Sequence, residues 1–176
     1  NEHSGYRQAA RTGLLLLAFL SAAGCGDGNT PRSGSTKDKS PFTFIEKSAA
    51  AGITFRHTDG SSGEYFIVET LASGVGLFDF DNDGDLDIYL LNGCPLPPPK
   101  DLATCPPNAL YRNRGDGTFA DVAAQKGLEA RGFSVGCCVG DYDSDGDLDI
   151  YVAGFGGNHL YRNDGPEADF SFTEVT

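Results

Sequence analysis

The chain has 176 residues, enough for one domain or slightly more. It carries 13 Lys and Arg against 25 Asp and Glu, a net charge of −12, which argues against a nucleic-acid partner. Its 24 Gly and lack of Trp suit many tight turns. With no Met at any position, Asn1 is expected to be a processed end or the start of a fragment.

Residues 1–25 read as an export signal. Arg7 and Arg11 form a basic start, and Gly13 to Leu20 is an apolar run too short to span a bilayer. Ser21-Ala22-Ala23-Gly24-Cys25 resembles the bacterial lipobox, with Ala22 where Leu is usual. Cys25 is then expected to be lipid-modified and to become the mature N-terminus; plain cleavage is the alternative. Residues 26–41 are Gly, Ser, Asp, Lys and Pro, a flexible tether that cannot build a core. Together these segments predict an exported protein, at a bacterial envelope or cell surface or secreted. Its only membrane contact would be a lipid anchor at Cys25.

The folded part is expected over residues 42–176. Phe42 to Ile45, Ile53 to His57 and Tyr65 to Val68 read as strands, with a short helical turn or loop at Ser48 to Gly52. The chain then reaches Asp79-Phe80-Asp81-Asn82-Asp83-Gly84-Asp85-Leu86-Asp87. The stretch recurs as Asp141-Tyr142-Asp143-Ser144-Asp145-Gly146-Asp147-Leu148-Asp149. Each copy has Asp at every odd position and Gly at position 6. Alternating carboxylates cannot enter a core unpaired, and they repel one another at neutral pH. A hard divalent cation resolves both problems. Calcium takes six to eight oxygens, and a loop with ligands at positions 1, 3 and 5 wraps it. The Gly supplies a turn with positive φ.

An EF-hand would need Glu at position 12 and flanking helices. Position 12 is Leu90 in one copy and Val152 in the other, and the flanks are β-branched and aromatic runs bounded by Gly. Each loop therefore joins two strands. The expected ligands are the side chains of Asp79, Asp81, Asp83 and Asp87 in one copy and of Asp141, Asp143, Asp145 and Asp149 in the other. Asp85 and Asp147, at position 7, are expected to offer their carbonyls. Two calcium ions would offset four of the negative charges. An acidic hairpin turn without metal is the alternative.

The loops start 62 residues apart, but the Leu-Tyr-Arg-Asn strands that follow, Asn108 to Asn113 and Asn158 to Asn163, lie only 50 apart. The surplus is the Pro-rich excursion Cys94 to Cys105, which a disulfide between its end residues would close in an oxidising compartment. Two free thiols are the alternative. A Gly/Asp turn and a Phe-x-x-Val strand complete each unit, at Phe119 to Val122 and Phe172 to Val175, and Phe42 to Ile45 reads as a third copy of that strand. Four short strands in roughly 50 residues is the pattern of a propeller blade. The fold class is thus all-β: about two to three blades of a β-propeller, expected to be the first part of a longer protein because a ring needs about four to eight.

The pattern Gly-x-x-x-x-Asp-x-Asp-x-Asp-Gly-x-x-Asp resembles the FG-GAP/VCBS repeat found in integrin α-subunit propellers. Phe42-x-x-Ile45, Gly52-Ile53-x-Phe55-x-His57, Gly74-x-Gly76, the Asp loop and Leu110-Tyr111-Arg112-Asn113 together resemble the bacterial proteins similar to cartilage acidic protein, which often end in an ASPIC/UnbV domain. The resemblance implies a seven-bladed propeller with calcium in inter-strand loops. No ASPIC/UnbV segment lies in this sequence.

Other motifs carry less. Arg114-Gly115-Asp116 spells an adhesive tripeptide, but turn chemistry alone explains Gly and Asp there. His57, Asp59, Ser61 and Ser62 lack a nucleophile elbow, and His159 reads as a strand residue. Cys137 and Cys138 are adjacent on a strand, so one faces the core. The expected function is a non-enzymatic, calcium-binding scaffold or recognition module with a protein or glycan ligand. The alternative is an accessory propeller of a secreted polysaccharide- or lipid-active enzyme.

Overall fold

The carboxylates of each Asp loop exclude it from a sheet, while the apolar runs on either side pair with each other. In the computed structural model, which describes residues 42–71 and 74–176, β1 (Val75–Phe78) pairs antiparallel with β2 (Asp87–Leu90), Phe78 standing opposite Asp87. The first Asp loop is the connection between them. β3 (Ala109–Asn113) and β4 (Phe119–Asp121) complete a four-stranded meander in the order β1-β2-β3-β4. One helical turn, α1 (Ala123–Lys126), leads to the second sheet. That sheet runs β5 (Phe133–Gly140), β6 (Asp149–Phe155), β7 (His159–Asn163), β8 (Phe172–Glu174) in the same order. The second Asp loop joins β5 to β6, with Gly140 opposite Asp149. Register repeats as well: Ile88 faces Tyr111 in one sheet and Ile150 faces Tyr161 in the other.

The architecture is all-β, two antiparallel sheets of the kind that make propeller blades. Its core lies between them. Phe78, Phe80, Tyr89, Leu91 and Leu110 of the first blade bury against Ile150, Val152, Tyr161 and Phe172 of the second, with Ala123 and Leu128 filling the link. Neither sheet could hide these side chains alone. The edge strands β1 and β5 approach closely, which explains Gly74 and Gly76. A Cβ on Gly74 would sit 2.9 Å from the Cα of Gly136, and one on Gly76 would sit 3.2 Å from the Sγ of Cys137. Cys137 packs against the core while Cys138 is exposed, and both are free thiols.

The Pro-rich excursion bridges β2 and β3, and a Cys94–Cys105 disulfide closes it. Both cysteines are buried, and with Leu96 and Phe133 they form a small second core. Tyr89 and Asn108 tie the two ends of the excursion inward. The Asn108 side-chain amide donates to the Tyr89 hydroxyl at 3.1 Å, and its oxygen accepts the Asn92 N–H at 2.8 Å.

The segment before β1 departs from expectation. Residues 42–45 and 53–57 form no strand, and Tyr65 to Val68 enters a 3-10 helix, Ile67–Leu71, instead. A strand needs a partner edge, and single bonds satisfy this segment's backbone instead. The Phe119 N–H donates to Ala51 O at 2.8 Å, the Gly93 N–H to Thr58 O at 3.0 Å, and the Thr58 N–H to Asn92 Oδ1 at 2.9 Å. Phe44 and Ile45 are exposed. The turn at Ser48 to Gly52 forms as expected, with the Ala51 N–H on Lys47 O at 2.8 Å. From Phe44 to Thr176 the chain is one compact unit. Among the described residues no helix is long and apolar enough to cross a membrane. The expected leader (1–25), the lipid acceptor Cys25 and the tether (26–41) lie outside the described residues.

Candidate metal centre

Each Asp loop folds on its own carboxylates. At position 1, Asp79 accepts the N–H groups of Asp83 (3.1 Å) and Gly84 (2.8 Å), and Asp141 accepts those of Asp145 and Gly146, both at 3.1 Å. Gly84 and Gly146 take φ of 93° and 96°, the positive-φ turn expected of position 6. Position 4 also turns with positive φ, 57° at Asn82 and 64° at Ser144. Asn tolerates that conformation better than Ser.

Position 9 fastens the loop to its sheet. Asp87 is fully buried and accepts from its own loop and from β3, the Phe80 N–H at 3.1 Å and the Asn113 N–H at 2.7 Å. Asp149 repeats the arrangement with Tyr142 at 2.9 Å and Asn163 at 2.8 Å. Burial pushes the Asp87 carboxyl up to about 6 against the pull of these N–H groups.

Position 3 is different. Its carboxylates feel the N–H groups of Asp83 and Asp145 only weakly, less than they feel burial. Asp81 leaves only 8% of its side chain exposed; Oδ2 meets the Arg112 Nε at 2.6 Å, and Oδ1 is buried with no hydrogen-bond partner. Burial raises the Asp81 carboxyl most, Arg112 pulls it down, and Asp83 and Asp79 add to the rise. Asp143 is also raised, by desolvation and then by Asp145 and Asp149.

Positions 1, 3 and 9 converge. Asp79, Asp81 and Asp87 each bring one oxygen within 4.8 Å of the others, and Asp141, Asp143 and Asp149 do the same. Asp83, Asp85, Asp145 and Asp147 stand outside these triads. Asp83 Oδ1 accepts the Asp85 N–H and Asp145 Oδ1 the Asp147 N–H, both at 3.0 Å. Asp147 reaches across to the first loop and accepts from Asn82 Nδ2 at 2.9 Å. The Asp85 carboxylate lies against the turn at Gly115.

Three carboxylates held close together, with an unpartnered buried oxygen among them, suit a hard cation that prefers oxygen. The donor set contains no nitrogen or sulfur. Sequence reasoning missed the cross-links between the loops. The Asn163 side chain donates to Phe80 O, inside the first loop, at 2.9 Å, and the Arg112 guanidinium sits on that loop. The Leu-Tyr-Arg-Asn motif carried that signal, because its Arg and Asn stand at the end of the strand beside the loop.

Other motifs settle into local structure. Asp116 Oδ1 accepts the Thr118 N–H at 2.9 Å within its turn, and the His159 Nδ1 lies 2.7 Å from Glu174 Oε1.

Residues 79–152, from the start of the first loop into the strand after the second, match the FG-GAP-like repeat family. That stretch of the chain is similar to an FG-GAP-like repeat. The chain is also similar to cartilage acidic protein 1 of Homo sapiens, 41% identical over 71 residues, which are 39% of this chain and 11% of that protein. Its counterpart in Xenopus tropicalis is 37% identical over 54 residues, 30% of this chain and 8% of that protein. The aligned part thus spans about a tenth of these curated relatives. The matched residues run from the first Asp loop through β2, β3, β4 and β5 into β6.

Proposed function

We propose that the two Asp loops are calcium sites and that the chain is part of an exported, calcium-stabilised propeller serving as scaffold or recognition module for a protein or glycan. The observation that carries this reading is Asp81, whose Oδ1 is buried with no protein donor and whose carboxylate clusters with those of Asp79 and Asp87. A protein leaves such an oxygen unpaired at a cost of about 1–3 kcal/mol or more, and a cation removes that cost. Asp79, Asp81 and Asp87 would hold one ion, and Asp141, Asp143 and Asp149 the other. Oxygens of Asp83, Asp85, Asp145 and Asp147 would complete the shells. A bound calcium would supply charge neutralisation and fix the link between the first two strands of each blade. The carboxylates that converge here are cation ligands braced by backbone N–H groups, so we read the chain as non-enzymatic. The Cys94–Cys105 disulfide supports export, since such bonds persist in oxidising compartments.

Isothermal titration of calcium chloride into the chain tests the reading. Two sites are expected, falling to one in Asp81→Asn and one in Asp143→Asn. An unchanged stoichiometry in both variants would remove the assignment.

A further inference from the structure

The two loops share a sequence pattern but not a charge environment. Arg112 and Arg162 occupy the same place in the Leu-Tyr-Arg-Asn strand of their blades. Arg162 is held by Asp164 and, among the described residues, makes no ion pair with its Asp loop: its Nε and terminal nitrogen donate to Asp164 Oδ1 at 2.9 and 2.7 Å. Asp164 is held in turn by the Thr173 hydroxyl at 2.5 Å, and Thr173 stands opposite Arg162 on β8. The first blade has neither partner. Arg114 stands where Asp164 does, immediately after the motif, and Ala120 faces Arg112 on β4. Asp116, the one carboxylate of that turn, is taken by the Thr118 N–H and hydroxyl, so Arg112 finds no free acid there. It lies on the loop instead, 2.6 Å from Asp81 Oδ2 and 3.4 Å from Asp83 Oδ2.

We propose that Arg112 is a resident counterion of the first Asp loop, that it makes the first loop the weaker of the two calcium sites, and that residue 114 sets this difference. The inference rests on the calcium reading above and concerns how one chain grades its two sites. A guanidinium on Asp81 and Asp83 neutralises part of the charge that draws a divalent cation and occupies one of the oxygens. It also repels the arriving ion. The second loop has four carboxylates at its odd positions 1 to 7 and, among the described residues, no arginine ion-paired to any of them, because Asp164 keeps Arg162 occupied. The first loop would then respond to calcium at higher concentrations, after the second has filled. Its ion must displace or share an ion pair that is half exposed and movable. Arg114 adds to the effect, since like charge two residues away gives Arg112 no reason to return to the turn.

The test is a calcium chloride titration of the full chain followed by the backbone amide signals of Gly84 and Gly146, which report each loop separately. In the unaltered chain Gly146 is expected to saturate first. Arg112→Gln should tighten the Gly84 transition by about tenfold, the effect of removing one positive charge beside a divalent ion at a screened surface, and leave Gly146 unmoved. Arg114→Asp gives the first turn the acid that the second has. It should move Gly84 the same way by about threefold, as an exposed pair draws Arg112 off the loop. Asp164→Arg, the mirror change, should weaken Gly146. If both loops bind calcium but Gly84 is unmoved or weakened in Arg112→Gln and Arg114→Asp, the counterion role is overturned and the calcium sites stand. If neither glycine responds to calcium in any variant, the calcium reading itself fails and this inference with it.

Discussion

The two blades carry the same nine-residue loop, yet the first is enclosed and the second is open. Phe80, at position 2 of the first loop, is fully buried and packs against Phe78 and Phe172, whereas Tyr142 at the same position is half exposed. The second blade supplies the enclosure. Asn163 donates to Phe80 O across the blade boundary, while its counterpart Asn113 donates to Leu86 O at 3.1 Å within its own blade. A repeat is therefore not a unit of stability here. Each blade completes its neighbour, as expected for stacked repeats whose faces cannot be buried alone.

This asymmetry can be broken at its strongest point. Asp149 holds its own loop and also positions Asn163, which in turn holds the first loop. Asp87 braces only its own blade. In chelator, Asp149→Ala should cost about 3 kcal/mol of stability and Asp87→Ala about 2, because each strands buried N–H groups and the former also loosens the inter-blade bond. Urea unfolding followed by circular dichroism measures both; equal losses would mean that the blade boundary carries no energy through Asn163. Asn163→Ala tests the bond alone. It leaves the Phe80 carbonyl unpaired in the core and should cost about 1–2 kcal/mol. Asn113→Ala, at a more exposed site, should cost less in the same assay. The smallest effect is expected at Asn82→Ala. It cuts an exposed bond to Asp147 and should shift the thermal midpoint by no more than about 0.5 kcal/mol would.

Much of this was legible before the structure. The β-branched and aromatic flanks placed each loop between two strands, and the 12-residue surplus in the first repeat located the excursion and its Cys94–Cys105 bridge. The Gly74 and Gly76 positions become clear only with β5 in place, since the clash they avoid is with Gly136 and Cys137 more than 60 residues on. Residues 42–45 and 53–57 misled because β-branched and aromatic composition measures fitness for a half-buried surface, not the presence of a pairing edge. At the site, sequence alone gave the side chains at positions 1, 3, 5 and 9 equal standing and set position 7 apart as a carbonyl donor. The fold separates them: positions 1 and 9 each accept two backbone N–H groups, whereas Asp81 at position 3 meets Arg112 and keeps one oxygen without a partner. Side chains at positions 5 and 7 fall outside the triads. The difference between Arg112 and Arg162 was also written in the sequence, as Arg114 against Asp164. Its meaning depends on the turn that brings residue 164 back onto residue 162.

A crystal structure of the chain grown with calcium chloride tests the central claim most directly. The account predicts one ion in each loop, with oxygens of Asp79, Asp81 and Asp87 around the first and of Asp141, Asp143 and Asp149 around the second, at roughly 2.3–2.6 Å. Loops with unchanged carboxylate positions and no ion density at saturating calcium would contradict it. They would leave the repeated carboxylates as turn-forming groups only.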